Sequence, residues 1–339
     1  MTSGLPQVSV VLPVRNGGAK LITAIRSIQN QSFSDWELIV ADDGSTDGSR
    51  KVTRQFAERD SRVRPLNLPA QGLVPTLTAA LELCRGTFIA RMDADDVSHP
   101  KRLERQRAVI IEDTSLGLIS CLVVFGGSRH GSRGYAEHVD WLNRTRTSKE
   151  IANSRFVESP VAHPSVFFRR ELLSRLGGYR EGDFPEDYEL WLRWLDAGVR
   201  FSKVAEPLLL WNDAPDRLSR IDDRYSPEAF YRVKCLYLSR WLERHIPRER
   251  PIWLWGAGRT TRKRFAALER ERGGFDGFVD VDPDKTGLRL DGRPVVAPDD
   301  IPEGAFLIAA VGSRGARGEI RNFLRRTGRE EGRDFLCAA

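Results

Sequence analysis

Four consecutive residues, Asp93-Ala94-Asp95-Asp96, concentrate more chemistry than any other stretch of the chain. They follow Thr87-Phe88-Ile89-Ala90, an apolar run that reads as a buried strand, so three carboxylates gather at a strand end. Acids placed this way repel one another and are costly to desolvate without a neutralising partner. A hard divalent cation is such a partner. Asp-x-Asp offers the oxygen donors that Mn2+ or Mg2+ accepts, and it leaves coordination positions for substrate phosphates. The alternative use is local, with Asp95 or Asp96 capping a helix that begins near Pro100.

Two further acidic segments have similar promise. Asp42-Asp43-Gly44-Ser45-Thr46-Asp47 ends a second apolar run, where Gly44 permits a tight turn. A carboxylate there can accept hydrogen bonds from a base edge or from ribose hydroxyls, or Asp47 or Ser45 can cap the next helix. Glu186-Asp187 opens a helix after Phe184-Pro185. Acids in a first turn suit the helix dipole, and a partly buried one can also serve as a general base. Arg193 follows within two turns, where it can orient the site or hold phosphate. His163-Pro164-Ser165 reads as a turn that either faces an acceptor or only reverses the chain.

These residues need elements to position them. Strand signals at Val8–Val14, Trp36–Ala41, Val63–Leu66 and Phe88–Arg91 alternate with helical spacing at Lys20–Asn30, Asp47–Arg59 and Leu73–Cys84. Such alternation predicts a mostly parallel sheet covered on both faces, with ligands outside the carboxyl ends of its strands. Right-handed crossovers would bring Pro13–Gly18, Asp42–Asp47 and Asp93–Asp96 to one edge. The middle of the chain is less regular. Strands are expected at Leu116–Phe125 and Val166–Phe168, a Gly/Ser/Arg loop at Gly126–Gly134, and a helix at Glu186–Ala197. Pro227–His245 reads as a bridging helix and 246–250 as a linker. The strand–helix pattern then restarts with strands at Ile252–Trp255, Phe275–Val281 and Phe306–Val311. The expected division is 1–225, a bridge at 226–249, and 250–339.

The composition of this 339-residue chain is that of an ordinary globular protein. No apolar run reaches the roughly 18 residues of a membrane helix, and Met1–Pro6 lacks the features of a signal peptide. Cys84, Cys121, Cys235 and Cys337 are scattered, which favours idle thiols over disulfides or zinc. A cytoplasmic location is expected, with peripheral association at the inner face of a membrane as the alternative. The net charge of +6 rests on arginine and fits an anionic substrate or a solvated basic surface. No nucleic-acid-binding motif is present.

Taken in order, Val8–Asn16, Asp42–Asp47, Asp93–Asp96 with Pro100 and Arg102-Leu103, His163-Pro164-Ser165, Gly177-Gly178-Tyr179 and Glu186-Asp187 through Arg193 resemble a family 2 glycosyltransferase. The resemblance covers about residues 6–220 and implies the GT-A fold, a nucleotide-sugar donor (a UDP-sugar favoured), a divalent metal, and inversion at the anomeric carbon. By position it implies that Pro13, Arg15 and Asp43 meet the nucleoside, that Asp93 handles ribose and diphosphate, and that Arg193 helps hold the donor. Asp95, partnered by Asp93, would ligate the metal. Asp187 would be the catalytic base, with His163 and Glu186 on the side of a glycan or lipid-linked acceptor. Asp96 is expected to cap or support. Processive members carry Gln-x-x-Arg-Trp. Here Leu190 stands in the Gln position before Arg193-Trp194, which implies transfer of one or a few sugars, with surface polysaccharide synthesis as the family-level expectation.

The C-terminal part resembles the small Rossmann-like domains fused to some sugar-modifying enzymes. Gly256-Ala257-Gly258 follows a strand, and Asp280 ends the next one 22 residues after Gly258. Thr261 occupies the third glycine position, which argues for docking or regulation over a nucleotide site at Gly256, Gly258 and Asp280. Two other functions remain open at this stage. One is a NAD-dependent sugar-modifying oxidoreductase working through the C-terminal domain. The other is a non-catalytic nucleotide-sugar binding protein, against which the presence of both Asp95 and Asp187 counts.

Overall fold

Uninterrupted apolar runs become strands covered on both faces, as a parallel sheet requires. The computed structural model describes residues 4–129, 131–213, 217–272 and 274–339. The chain begins β1 (Val8–Val14), α1 (Gly18–Gln29), β2 (Trp36–Asp43), α2 (Ser49–Arg59), β3 (Val63–Leu68), α3 (Leu73–Glu82) and β4 (Phe88–Arg91). Every residue of β1, β2 and β4 is buried. It continues β5 (Val97–Ser98), α4 (Arg102–Glu112), β6 (Leu116–Phe125), α5 (Arg133–Arg144), α6 (Ser148–Ser154), β7 (Phe167–Arg169), α7 (Glu171–Leu176), α8 (Glu186–Asp196), β8 (Arg200–Trp211) and α9 (Leu218–Ile221). The last part is α10 (Pro227–His245), β9 (Ile252–Trp255), α11 (Arg259–Arg272), β10 (Gly277–Val279), β11 (Arg289–Leu290), β12 (Arg293–Val296), β13 (Phe306–Ala309), α12 (Ala316–Arg326) and β14 (Phe335–Cys337).

These elements sort into two units. The first holds residues to 148, 161–182 and 193–221, and the second holds 149–160, 183–192 and 222–339. In the first unit the sheet order is β3-β2-β1-β4-β7-β6-β8-β5. β1 pairs in parallel with β2 on one side and β4 on the other, with Val11 opposite both Ile39 and Arg91. That register sets the ends of the three strands side by side, so the segments that follow them share one edge of the sheet. α1 closes one face with Leu21, Ala24, Ile25 and Ile28, spaced as an amphipathic helix requires and fully buried.

The second unit has its own sheet, ordered β11-β12-β10-β9-β13-β14. Its pairs are parallel except β11 with β12. The order reverses between β9 and β13, as in doubly wound sheets. Its core draws on Val233, Cys235, Leu238 and Trp241 of α10 together with Phe156, Tyr188 and Leu192. The helix expected as a separate bridge is thus part of the second unit's core, and two short segments from mid-chain join it. Among the described residues no helix is long and apolar enough to cross a membrane. All four cysteines are buried thiols outside any disulfide.

β8 and α5 are among the elements that differ from expectation. β8, twelve residues long, was hidden by Pro207 and by charged residues among its apolar ones. Its pairing with β6 shifts register near Pro207, which is how a proline is tolerated in a strand. The stretch expected as a loop to Gly134 already belongs to α5 from Arg133.

Candidate active site

The acidic cluster sits one residue beyond β4, where the Met92 amide donates to Val11 O and ties the turn to β1 (3.0 Å). Ligand oxygens of Asp93, Asp95 and Asp96 lie within 4.8 Å of one another. Each acid has a different environment. Asp93 forms an ion pair with Arg91, the last residue of β4, whose side chain is almost wholly buried. Asp96 accepts a hydrogen bond from the Asn212 amide through Oδ1 (2.8 Å), while its buried Oδ2 has no hydrogen-bond partner. Burial, then the charges of Asp93 and Asp95, push the Asp96 carboxyl well above the ordinary range. Asp95 is raised by burial and by Asp93, with Lys20 and Arg217 partly offsetting this. An orphaned carboxylate oxygen inside a cluster of three acids is the condition a hard cation relieves, so this donor set fits Mn2+ or Mg2+. The expected cap is not made. α4 starts at Arg102, and its N-cap residue Lys101 makes no side-chain capping bond.

The adjoining edge carries Asp42 and Asp43, which the structure places inside β2. Asp43 Oδ1 accepts from the amides of Gln71 (2.7 Å) and Gly72 (3.1 Å), and Arg15 lies 3.8 Å from Oδ2. Asp43 therefore braces the turn into α3 and faces Arg15. Asp42 accepts from Ser45 N (2.9 Å) and Arg50 Nε (2.7 Å). Pro13 lies in β1 beside Ala41. The segments after β1 and β2 are laced together: Asn16 N donates to Ser45 Oγ (2.9 Å), Thr46 N to Asn16 Oδ1 (2.8 Å) and Gly18 N to Asp47 Oδ2 (3.0 Å). Ser45 and Asp47 thus serve this lacing. Asp47 also accepts from the Ser49 amide through Oδ1 (2.9 Å), so it satisfies the first turn of α2 from one residue before Gly48, which holds the N-cap position without a side-chain bond.

His163 lies in a short 3-10 turn, with Nε2 2.6 Å from Tyr179 Oη. Burial, then the Arg91 charge, hold its imidazole well below the ordinary histidine range, so it is neutral at pH 7. Arg193 donates to the carbonyls of Leu176, Gly177 (3.0 Å) and Gly178 (2.6 Å). The guanidinium holds the loop that leads into Tyr179.

In the second unit, the first turn of α8 carries Glu186 and Asp187. Glu186 is buried and accepts from Tyr225 Oη (2.6 Å). Burial and the charges of Glu186 and Asp187 push the Tyr225 phenol far up, so it stays a donor. Asp187 is less buried, and its Oδ1 accepts from the Tyr188 amide (2.7 Å). In the C-terminal sheet Gly256 has φ +122°, a conformation glycine favours. Asp280 Oδ2 accepts from Ala257 N (2.9 Å) and Oδ1 from Asp282 N (3.0 Å), with Lys285 Nζ 3.4 Å away. The carboxylate that a ribose would require is spent on the fold's own turns.

Arg91, Asn212, Lys20 and Arg217 were not singled out from sequence. Only Arg91 left a signal there, as a charge ending a buried strand one residue before the acidic cluster.

The sequence signature described as Glycosyl transferase family 2 matches residues 9–177. The chain is 32% identical over 232 residues to "Putative glycosyltransferase EpsE" of Bacillus subtilis, covering 67% of this chain and 80% of that one. It is 28% identical over 249 residues to O-antigen biosynthesis glycosyltransferase WbnJ of Escherichia coli, covering 71% and 91%. Among solved structures, S. aureus TarS 1-349 in complex with UDP-GlcNAc aligns with a TM-score of 0.54 at 18% identity, covering 70% of this chain and 66% of that one. Mannosyltransferase PcManGT from Pyrobaculum calidifontis, in complex with GDP-Man and Mn2+, aligns with a TM-score of 0.50 at 20% identity, covering 80% and 70%. Both share the GT-A arrangement of a large, mostly parallel sheet with flanking helices. With these likenesses and an acidic cluster at the carboxyl edge of that sheet, the chain belongs to glycosyl transferase family 2 and is a glycosyltransferase.

Proposed function

We propose that this glycosyltransferase moves one sugar from a nucleotide-sugar donor to a hydroxyl of a glycan or lipid-linked acceptor, with inversion and with a divalent metal, in surface polysaccharide synthesis. The observation that carries the reading is the Asp93-Asp95-Asp96 cluster with a buried carboxylate oxygen left unbonded, on the sheet edge shared with Asp43 and Arg15. WbnJ's name places that relative in O-antigen biosynthesis, and the nucleotide sugars bound to TarS and PcManGT support the donor class. Asp95, with the oxygen of Asp93 not given to Arg91, would hold Mn2+ or Mg2+. Pro13, Arg15 and Asp43 would border the nucleoside, and Arg193 would position the loop before Tyr179. Asp187 would take the proton of the acceptor hydroxyl as its oxygen attacks the anomeric carbon. The new C–O bond forms on one face while the bond to the diphosphate breaks on the other, and the nucleoside diphosphate leaves with the bonding pair. A bound divalent cation would supply neutralisation of the charge growing on that leaving group. The buried Glu186–Tyr225 bond would fix the start of α8, and His163, neutral and bonded to Tyr179, would border the acceptor. The C-terminal unit would dock or regulate.

The test is a panel of UDP-, GDP- and dTDP-sugars with Mn2+, read by thermal shift and donor hydrolysis. One or more donors should stabilise the protein in a metal-dependent way. A panel in which none binds, with or without Mn2+, would remove the donor reading.

A further inference from the structure

We infer that Arg217 is the residue that receives the diphosphate of the donor, from a seat built by Trp211, Asp213 and Tyr135; this rests on the donor-site reading above. The seat begins where β8 ends. Asn212 is bonded to the acidic cluster twice, through its amide to Asp96 Oδ1 (2.8 Å) and through Nδ2 to Asp95 O (2.6 Å). The residues after β8 are therefore fixed against the cluster. Two glycines at the end of β6 permit the approach. Gly126 N donates to Trp211 O (2.8 Å), a Cβ on Gly126 would overlap Asn212 Oδ1, and one on Gly127 would stand 2.7 Å from Asp213 Cβ.

Two arginines use this seat differently. Arg220 donates to Asp213 Oδ2 (2.9 Å) and lies 4.5 Å from the Tyr135 ring centre. Arg217 stacks 4.6 Å from the Trp211 ring centre and 5.6 Å from that of Tyr135, but its Nη1 stands 3.7 Å from Asp213 Oδ1, beyond hydrogen-bond length. The Asp213 side chain is 2% exposed and that of Arg217 18%, so the acid is a buried anchor and the guanidinium reaches solvent. Arg220 satisfies Oδ2 of the anchor, Oδ1 has no hydrogen-bond partner, and Arg217 rests against the aromatic rings with its Nη1 outside hydrogen-bond reach of that oxygen. Its neighbours Trp211 and Asp213 stand on either side of Asn212, the residue bonded to Asp95 and Asp96. A guanidinium held beside a metal-type carboxylate cluster matches the bidentate geometry of a phosphate. With donor bound it would turn to the diphosphate.

The experiment is titration calorimetry with Mn2+, comparing UDP and GDP with uridine and guanosine, on wild type, Arg217→Ala and Arg217→Lys. Arg217→Ala should weaken the preferred nucleoside diphosphate roughly 10–100-fold and leave the nucleoside unchanged, with Arg217→Lys in between. Equal diphosphate binding by wild type and Arg217→Ala would overturn the inference. So would an equal loss for nucleoside and diphosphate, because that pattern belongs to a general disturbance of the fold; Arg217→Lys, with its retained charge, is the check on that point. Wild type that binds no nucleoside diphosphate would overturn the donor-site reading itself, and Arg217 with it.

Discussion

The three carboxylates after β4 differ in what already holds them, and that difference sorts their roles. Asp93 is paired with Arg91, Asp96 is tied to Asn212, and Asp95 has only partial compensation from Lys20 and Arg217. Asp95→Asn should abolish the thermal shift produced by Mn2+ and cut turnover by roughly 10²–10³-fold, on the scale of losing one charge-stabilising group. An unchanged Mn2+ response would reassign the ligand. The same electrostatics set a pH dependence. Asp95 and Asp96 are raised above their unfolded values, so their contribution is fully present below about pH 4 and is lost as pH rises through their folded values. Measured without metal, the stability difference between wild type and Asp95→Asn should therefore shift against wild type as pH rises from 4 towards neutrality, and Mn2+ at neutral pH should offset it. A difference that does not change with pH over this range would contradict the assignment. Asp187→Asn should lose roughly 10²–10⁴-fold in turnover while still binding donor, and near-normal turnover would remove its role as base. Asp43, Asp93 and Asp95 stood out in sequence because carboxylates ending buried apolar strands are unusual and expensive, whereas Asp187, in a helix first turn that the dipole favours, stood out only through the ordered set of motifs around it. Asn212 was not, because it meets Asp96 across 116 residues of chain, and nothing local marks an asparagine that will do so.

At the scale of elements, β1, β2 and β4 were legible because strands buried on both faces are predominantly apolar, with the few charges they carry, Glu37, Asp42, Asp43 and Arg91, held in ion pairs. Their ends matter more than their middles. The turn after β2 depends on Gly44, which has φ +66° and whose Cβ, if present, would stand 2.5 Å from Ala70 N. Backbone cannot yield as a flexible side chain would. Gly44→Ala should therefore cost about 1–3 kcal/mol, lower the melting temperature and weaken nucleotide binding, because the lacing of Asn16 to Ser45 and Thr46 depends on this turn. A variant that melts and binds like wild type would show the turn to be more adaptable than its close contacts imply. β8 was illegible for a physical reason: its proline and charges read as a loop until β6 supplies a partner with a matching register shift. α5 was missed because glycines and arginines precede its apolar face, Ala136, Val139 and Leu142, which only the packed core makes visible.

The division of the whole molecule was the least legible feature, because its second unit is assembled from separated stretches and no composition change marks them. Lys234 shows how they are joined. It lies buried on α10 and donates to Val157 O (2.9 Å) in the 149–160 stretch and to Ala338 O (3.0 Å) after β14, with its ammonium 4.2 Å from the Tyr231 ring centre. Burial pushes this ammonium down to about 8 from its ordinary 10.5, against the opposing pull of Glu158. A group with a depressed folded value contributes stability that is present above the unfolded value and is lost as pH falls through the folded one. For Lys234 that window runs from about 10.5 down to about 8, so its contribution grows as pH rises across it. Lys234→Met keeps the apolar stem and deletes both hydrogen bonds. At pH 7 it should lower the melting temperature by the equivalent of about 1–3 kcal/mol, the cost of buried carbonyls left without this donor. Melting followed from pH 8 to 10 should then lose the part of the wild-type slope that Lys234 supplies. If the variant matches wild type in both level and slope, the buried ammonium is not what fastens these segments together.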